Sequence, residues 1–270
     1  MMMASGLVLL YSVMGMLSWI HGQLYMLGAI LIYYLVVKLG INYFVGLPVT
    51  AAIVAIIGIA IEKGLLRPLA GKGFLPASVV CLGLIFVFEG GVTILSGSES
   101  KGIPAIFQGV IRIGSVIIGQ EKLILVGLAI GIMFGLYLLI NRSKLGLAIR
   151  ASAQEPIVAS LFGVSAGHLY TIVMGIGCAL AAVAGAMIAP VFVVDPWIGA
   201  KPLILALSAI VLGGLGSLRG AVIGGMILGF FASVVAYYIG PWYELVSFLS
   251  VILIILLRPQ GLFGQAEARV

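Results

Sequence analysis

Apolar stretches of bilayer-crossing length follow one another along most of this chain, separated by short polar segments. Apolar segments lie at 3–19, 23–37, 43–66, 75–95, 122–140, 169–190, 203–214, 220–239 and 242–257. Several of them approach or exceed the roughly 18 apolar residues that are typical of a transmembrane helix. The pattern predicts an all-α polytopic membrane protein with about eight to nine transmembrane segments, some of them short and broken, and an internal repeat.

Composition excludes a soluble domain. Only 8% of the residues are charged and 63% are hydrophobic, whereas a soluble domain carries about 25% charged residues. The longest polar segments, 96–121 and 141–168, are too short to build a core of their own. We therefore treat residues 1–270 as a single transmembrane domain.

The distribution of Lys and Arg predicts the orientation. One set of segment ends carries Lys63, Arg67, Lys72, Arg142, Lys144, Arg150, Arg258 and Arg269, and the other carries Lys38, Lys101, Arg112, Lys122 and Lys201. The more basic set is expected in the cytoplasm. This places 67–74, 141–168 and the C-terminus inside, and 96–121 and 191–202 outside. The formal charge of +6 forms no basic, aromatic-interleaved patch, so no nucleic-acid partner is expected.

No catalytic constellation is visible in the sequence. Cys81 and Cys178 lie inside apolar segments, and the only histidines, His21 and His168, form no metal-ligand cluster with them. No nucleophile–base pair, paired carboxylates or phosphate-binding loop is present. The sequence predicts neither an enzyme nor a bound metal or cofactor, and any energy from ATP must come from another subunit.

The apolar pattern first breaks at Ser18-Trp19-Ile20-His21-Gly22, where no proper hydrophilic loop is present. We interpret it as an unwound point, followed by a helix from about Gln23. Unpaired backbone at membrane depth is tolerated where it lines a cavity, and a helix N-terminus can hold an anionic group. The candidate pathway residues here are Ser18, Trp19, His21, Gly22 and Tyr25. The alternatives are an interfacial turn with Trp19 at the bilayer surface, and a structural His21 bonded to a helix carbonyl.

The second break is the glycine-rich stretch 213–220. Small residues recur four apart at Gly216, Gly220 and Gly224 and at Ala221, Gly225 and Gly229, a pattern that allows close helix packing. The cluster 213–217 exceeds what packing needs and predicts an unwound turn near the transport path. Gly213, Gly214, Gly216 and Ser217 are its candidate residues. A leucine is expected to be milder at Gly28, if that glycine serves only packing, than at Gly214 or Gly216.

The segment 141–168 predicts a short cytoplasmic helix. Glu155-Pro156 opens it and Gly163 closes it in a left-handed conformation. Its exposed apolar face consists of Ile157, Val158, Leu161 and Phe162. An exposed apolar face on a loop is expected to be buried against another surface. A partner protein and the lipid surface are equally good candidates.

Two acids fall within or beside apolar segments. Glu89 lies deep in 75–95, where a charge costs about 2.5–3.5 kcal/mol on insertion scales. It is therefore a functional candidate or half of a buried pair. Glu62 is expected to pair with Lys63 or Arg67.

The chain resembles the permease subunits of ATP-binding-cassette importers for branched-chain amino acids, in particular the H-type subunit of high-affinity leucine, isoleucine and valine importers. That family has an Asn-Phe-Ala-His-Gly stretch near its first helices, similar to residues 18–22. The other matching stretches are Ile61-Glu62-Lys63 with Arg67-Pro68-Leu69, Gly146 to Val164, Val211 to Gly225, and Arg258-Pro259-Gln260-Gly261-Leu262. Ser18 replaces the family's asparagine, and the chain begins later than is usual, so a short first helix is expected.

The resemblance implies half of a translocation pathway in the plasma membrane of a prokaryote. The implied partners are a second permease subunit, in a homo- or heterodimer, two cytoplasmic ATPase subunits, an extracytoplasmic substrate-binding protein and the lipid bilayer. Residues 154–163 would be the coupling helix that docks on the ATPase through Glu155, Ile157, Val158, Leu161, Phe162 and Gly163. The alternatives are a permease for urea or short-chain amides and an ion-coupled secondary transporter.

Overall fold

The computed structural model describes residues 1–69, 72, 74–104, 106, 109–113, 116–240, 248–249, 252, 256 and 261–263. Ten α-helices occur within these ranges: α1 Met2–Met14, α2 His21–Tyr33, α3 Tyr43–Ile61, α4 Phe74–Ser96, α5 Gln120–Arg142, α6 Lys144–Gln154, α7 Pro156–Leu161, α8 Ala166–Ile188, α9 Ala200–Gly213 and α10 Leu218–Ile239. A π-helical turn Tyr34–Lys38 extends α2. A π-helical turn Glu62–Leu66 and a 3-10 turn Arg67–Leu69 extend α3.

Five of the described helical segments are long and apolar enough to cross a membrane. They are Tyr43–Leu69, Leu75–Ser96, Gln120–Arg142, Ala166–Ile188 and Leu218–Tyr238. Helices α1 and α9 are apolar but shorter. The molecule is therefore a mostly helical, multi-pass membrane protein. Most of the predicted segment 242–257 lies outside the described residues.

A β-hairpin departs from the prediction of an all-α chain. Strands β1, Val110–Ile113, and β2, Val116–Gly119, pair antiparallel between α4 and α5. Both strands are rich in Val and Ile, whose branched side chains favour extended backbone. The hairpin lies within 96–121, for which the hydrophobic pattern predicts only a polar segment between membrane helices.

Short polar side chains fix where several helices begin. The Asn42 side chain accepts a hydrogen bond of 2.9 Å from the N–H of Phe44 and caps α3. Ser143 accepts one of 2.9 Å from the N–H of Gly146 at the start of α6. Such side chains satisfy backbone donors that have no partner within the helix.

Helix α8 forms the centre of the described core and packs against α1, α2 and α3. In its most apolar stretch 67% of the residues are buried, compared with 11% in α4 and 22% in α5. Glycines permit this packing: a Cβ at Gly6 would lie 2.8 Å from the carbonyl oxygen of Gly177, and one at Gly28 would overlap the backbone of Ala182. The helices therefore meet backbone to backbone.

A backbone pair links the two segments that were predicted to lie outside. The N–H groups of Lys101 and Val194 each donate to the other residue's carbonyl at 2.8 Å. This pairing joins the loop after α4 to the loop after α8. It agrees with the prediction that 96–121 and 191–202 lie on the same side of the membrane.

Candidate functional site

The unwound residues 15–20 overlap the predicted break at 18–22 only in part, because α2 begins at His21 rather than at about Gln23. Helix α1 ends at Met14, and Gly15 follows with a φ of 66° in the left-handed region. The N–H groups of Gln23 and Leu24 both donate to the carbonyl of Ile20, at 2.9 and 3.1 Å. The backbone between α1 and α2 is thus unwound over only about six residues.

The polar side chains of this break are buried without partners. Ser18 is 7% exposed and His21 is 0% exposed. Neither the Ser18 hydroxyl nor either ring nitrogen of His21 has a hydrogen-bond partner among the described residues. His21 is buried, as its interpretation as a structural histidine requires, but no bond from it to a helix carbonyl occurs among the described residues. A buried polar group without a partner is costly.

The first turn of α2 also contacts the start of α9. A Cβ on Gly22 would lie 2.8 Å from the carbonyl oxygen of Gly199 and 3.2 Å from the Leu203 Cβ. Tyr25, one turn further on, is 6% exposed, and a Cβ on Gly185 would overlap its carbonyl. The first break is consequently enclosed by α8 and α9.

The second break is confirmed as an interruption between α9 and α10. Gly214 and Gly216 have φ angles of 100° and 84°, which side-chain-bearing residues rarely adopt. The Ser217 hydroxyl accepts a 3.1 Å hydrogen bond from the N–H of Gly220 and so caps α10. Gly213 is required for a different reason, because a Cβ there would overlap the carbonyl of Gly220.

The fold brings the end of α1 onto this second break. The Ser12 hydroxyl lies 3.2 Å from the carbonyl oxygen of Gly216 and 2.8 Å from that of Val8. The turn at Gly216 is exposed, whereas Ser18 and His21 are buried. The two breaks are thus linked through α1 but differ in accessibility.

A small cleft of about 20 Å³, roughly the room of a single water molecule, borders the first break. Ser18 lines it together with apolar side chains, among them Met14 of α1, Leu66 beyond α3 and Cys81 of α4. The cleft offers an apolar surface beside one unpartnered hydroxyl.

The glycine stripes serve packing along only part of α10. A Cβ on Gly224 would lie 2.5 Å from the carbonyl of Ala209, and one on Gly225 would lie 2.9 Å from the Cα of Met1. No described atom lies within 4 Å of a Cβ on Gly229. A Cβ on Gly28 would overlap the backbone of Ala182, so the tight packing there gives no support to the expectation of a milder leucine at this position.

Helix α7 has the predicted ends and the predicted exposed face. Pro156 occupies its first turn and Gly163 follows it with a φ of 85°. The N–H of Gly163 donates to Ser160 at 3.0 Å and that of Val164 to Ala159 at 3.1 Å, the two bonds of a Schellman cap.

The apolar face of α7 has no cover within the described part of the chain. Ile157, Leu161 and Phe162 are 76%, 80% and 85% exposed, and Val158 is 46% exposed. Ala159, on the opposite side, is buried at 5%. Helix α7 contacts α6, which in turn contacts the end of α5 and α1. A chain of contacts thus runs from α7 through α6 to α1.

Glu62 and Glu89 both have partners in the structure. The sequence predicted the partner of Glu62 but not that of Glu89. Glu62 forms the expected ion pair with Arg67: the Glu62 Oε1 lies 2.8 Å from the Arg67 Nε. Glu89 accepts a 2.9 Å hydrogen bond from the amide nitrogen of Gln23. The sequence feature that could have indicated Gln23 as a functional residue is that it is a single amide at the start of an apolar segment.

Comparison with known proteins places these features in a family. The model of a family described as "Branched-chain amino acid transport system / permease component" matches residues 1–257. The permease protein BraD of Pseudomonas aeruginosa, named for a high-affinity branched-chain amino acid transport system, is 32% identical over 98% of this chain and 92% of its own length.

The similarly named LivH of Escherichia coli K12 is 31% identical over 98% of this chain and 91% of its own length. A probable branched-chain amino acid permease, LivH of Methanocaldococcus jannaschii, is 26% identical over 97% and 88%. No solved structure matches the chain. The fold is that of a multi-pass membrane protein of the transport class. Within that class, the chain belongs to the family of branched-chain amino acid permease components.

Proposed function

We propose that this chain is a membrane-spanning permease subunit of an ATP-binding-cassette importer. It forms half of the translocation pathway for branched-chain, hydrophobic amino acids. The observation that carries the proposal is the similarity to BraD and LivH over 98% of the chain. The subunit is not an enzyme, and ATP is hydrolysed by a separate subunit.

The coupling role is assigned to 141–168, as a cytoplasmic loop of the single permease domain 1–270. Its support is the uncovered apolar face of α7, where Leu161 and Phe162 are more than three-quarters exposed. An aqueous loop with such a face is stabilised by a protein partner. The proposed contact residues are Glu155, Ile157, Val158, Leu161, Phe162 and Gly163.

The substrate pathway is assigned to the two helix breaks. The support is the unpartnered burial of Ser18 and His21 and the left-handed backbone at Gly214 and Gly216. Broken helices of this type form binding sites at the interface of repeats in other transporters. The proposed residues are Ser18, Trp19, His21, Gly22, Tyr25, Gly213, Gly214, Gly216 and Ser217.

The complete assembly contains a second permease, as a homo- or heterodimer, two cytoplasmic ATPase subunits and an extracytoplasmic binding protein. It lies in the plasma membrane of a prokaryote, and the chain crosses the bilayer about eight to nine times with an internal repeat. The short helices α1 and α9, each followed by a break and a further helix, support the repeat.

Reconstitution of the complete transporter in proteoliposomes tests the function. Binding protein loaded with leucine should stimulate ATP hydrolysis and drive leucine uptake, whereas urea and acetamide should do neither. Uptake driven by an ion gradient in the absence of ATP would instead support a secondary transporter. Stimulation by urea or acetamide alone would reject the assignment to amino acids.

A further inference from the structure

Glu89 is an acid held within a membrane span and, among the described residues, has no basic partner. It lies on α4, seven residues or about 10 Å of helix before the end of α4 at Ser96. It is half-buried. The one ion pair within the described ranges joins Arg67 to Glu62. An intramembrane acid of this kind points to a functional site.

The contact of Glu89 with Gln23 leaves acceptors in excess. The amide nitrogen of Gln23 donates to one carboxylate oxygen at 2.9 Å. Gln23 is 4% exposed, and its amide oxygen has no partner within the described ranges. The Thr93 hydroxyl, one turn along α4, donates to the backbone carbonyl of Glu89 rather than to its carboxylate. The pair therefore presents a second carboxylate oxygen and an amide oxygen against one remaining amide N–H of Gln23, so its acceptors outnumber its donors.

The chemistry that satisfies this pair is a compact cation with several N–H donors. A primary ammonium group carries one positive charge and three donors in a small volume. It would neutralise the carboxylate and also bond to the amide oxygen. A metal ion fits less well, because the described residues contain no group of three potential His, Cys, Asp or Glu ligands and one carboxylate with one amide is a small ligand set.

The pair lies on the proposed path. Gln23 stands in the first turn of α2, two residues after His21 and just beyond the unwound residues that include Ser18. Helix α4 is the least buried of the five candidate spans, so its side chains are little enclosed by the described core. We propose that Glu89 and Gln23 form the subsite that holds the α-ammonium group of an amino acid as it crosses the membrane. This inference rests on the proposed function and adds the recognition of the charged end of the substrate.

The first test compares leucine uptake after neutralisation of Glu89 with uptake after neutralisation of Glu99. In the reconstituted transporter, Glu89→Gln should lower leucine uptake about tenfold or more, the effect of losing one charge-assisted bond. Glu89→Asp, which keeps the charge, should fall between this variant and the wild type. Glu99→Gln makes the same change at an exposed acid in the loop after α4 and should leave uptake within about twofold of the wild type. Normal uptake by Glu89→Gln would overturn the proposal.

The second test separates a cation site from a neutral structural pair in which a protonated Glu89 bonds to Gln23. Gln23→Cys is placed in a chain whose Cys81 and Cys178 are replaced by alanine. A cationic methanethiosulfonate, the ethylammonium reagent, should modify the introduced thiol about tenfold faster than the anionic ethylsulfonate reagent. Adding Glu89→Gln should make the two reagents react at equal rates. In the chain that retains Glu89, leucine should slow the reaction with the cationic reagent.

Equal rates with Glu89 present would reject the subsite, as would an unreactive thiol in the resting, ATP-bound and vanadate-trapped transporter. Leucine uptake by the wild type tests the proposed function independently. If the wild type takes up leucine but position 23 shows no preference for cations, the subsite fails alone. If the preference depends on Glu89 but the wild type takes up no leucine, the cation site stands and the substrate assignment fails.

Discussion

Glu62 and Arg67 form a two-pronged ion pair at the end of α3. The Arg67 Nε lies 2.8 Å from Oε1 of Glu62, and a terminal guanidinium nitrogen lies 3.1 Å from Oε2. Glu62 is fully buried, whereas the Arg67 side chain is 38% exposed. The same terminal nitrogen donates to the carbonyl of Gly167 at 2.7 Å and to the Thr171 hydroxyl at 2.6 Å. One guanidinium thus ties the end of α3 to the start of α8.

Removing this guanidinium should destabilise the protein markedly. Arg67→Ala leaves the Glu62 carboxylate buried and uncompensated, a loss on the order of 3 kcal/mol. Arg67→Lys keeps the charge but not the planar fork, so its loss should be smaller. The midpoint of thermal unfolding in detergent measures both. An Arg67→Ala midpoint equal to that of the wild type would show that the pair contributes nothing to stability.

Charging the exposed face of α7 should uncouple transport without preventing folding. Val158→Asp together with Leu161→Asp places two carboxylates in the proposed ATPase contact, where they would be desolvated without partners. Leucine uptake and substrate-stimulated ATP hydrolysis in vesicles should both be lost, while the amount of inserted protein stays normal. Ser160→Asp is the control, since it adds a charge to the same helix at an exposed polar position. Normal uptake by the double variant would refute the coupling assignment.

Substitution of the glycines of the second break should be harmful for two different reasons. Gly214→Leu and Gly216→Leu force a side chain onto left-handed backbone, at about 1–2 kcal/mol each, and should abolish or strongly reduce uptake. Gly28→Leu should be equally harmful because it would separate α2 from α8. The control is Gly127→Leu in α5, where a Cβ would meet no described atom within 4 Å. Uptake relative to the amount of inserted protein is the measurement, and equal values for all four variants would leave no special role for the break.

The sequence predicted those features that local chemistry determines. Pro156 and Gly163 bound α7 because the ring and the missing side chain restrict where each residue fits in a helix. The apolar runs predicted the five helical segments that are long enough to cross a membrane. The pair of Glu62 and Arg67 could be predicted because the two residues lie close together in the chain.

Contacts between distant segments could not be predicted in this way. Nothing near Gln23 in the chain indicates Glu89, and nothing near Gly28 indicates the backbone of Ala182. Both depend on how α2 crosses its neighbours. The lack of partners for His21 among the described residues is likewise a property of the packed core. The close approach at Gly28 could not be predicted because spacing along one helix says nothing about how closely another helix approaches.

Accessibility of the two breaks should change during turnover. Ser18 and His21 are buried in this structure, whereas Ser217 is half-buried beside the exposed turn at Gly216. Single cysteines at 18, 21 and 217, in a background without Cys81 and Cys178, should therefore react differently with a membrane-impermeant thiol reagent. Position 217 should label in the resting transporter. Positions 18 and 21 should label only when ATP and loaded binding protein are present, because a shared pathway must open to the break to admit substrate.

A cysteine at Phe86 provides the matched control. Phe86 lies on the exposed side of α4 and is 73% exposed in this chain, so in a bilayer a thiol there faces an apolar surface and should be unreactive in every state. Turnover-dependent labelling at 18 and 21 but not at 86 would support a water-filled path through the first break. If 18, 21 and 217 were protected in every state, the breaks would serve helix packing alone, and the pathway would have to run elsewhere in the assembly.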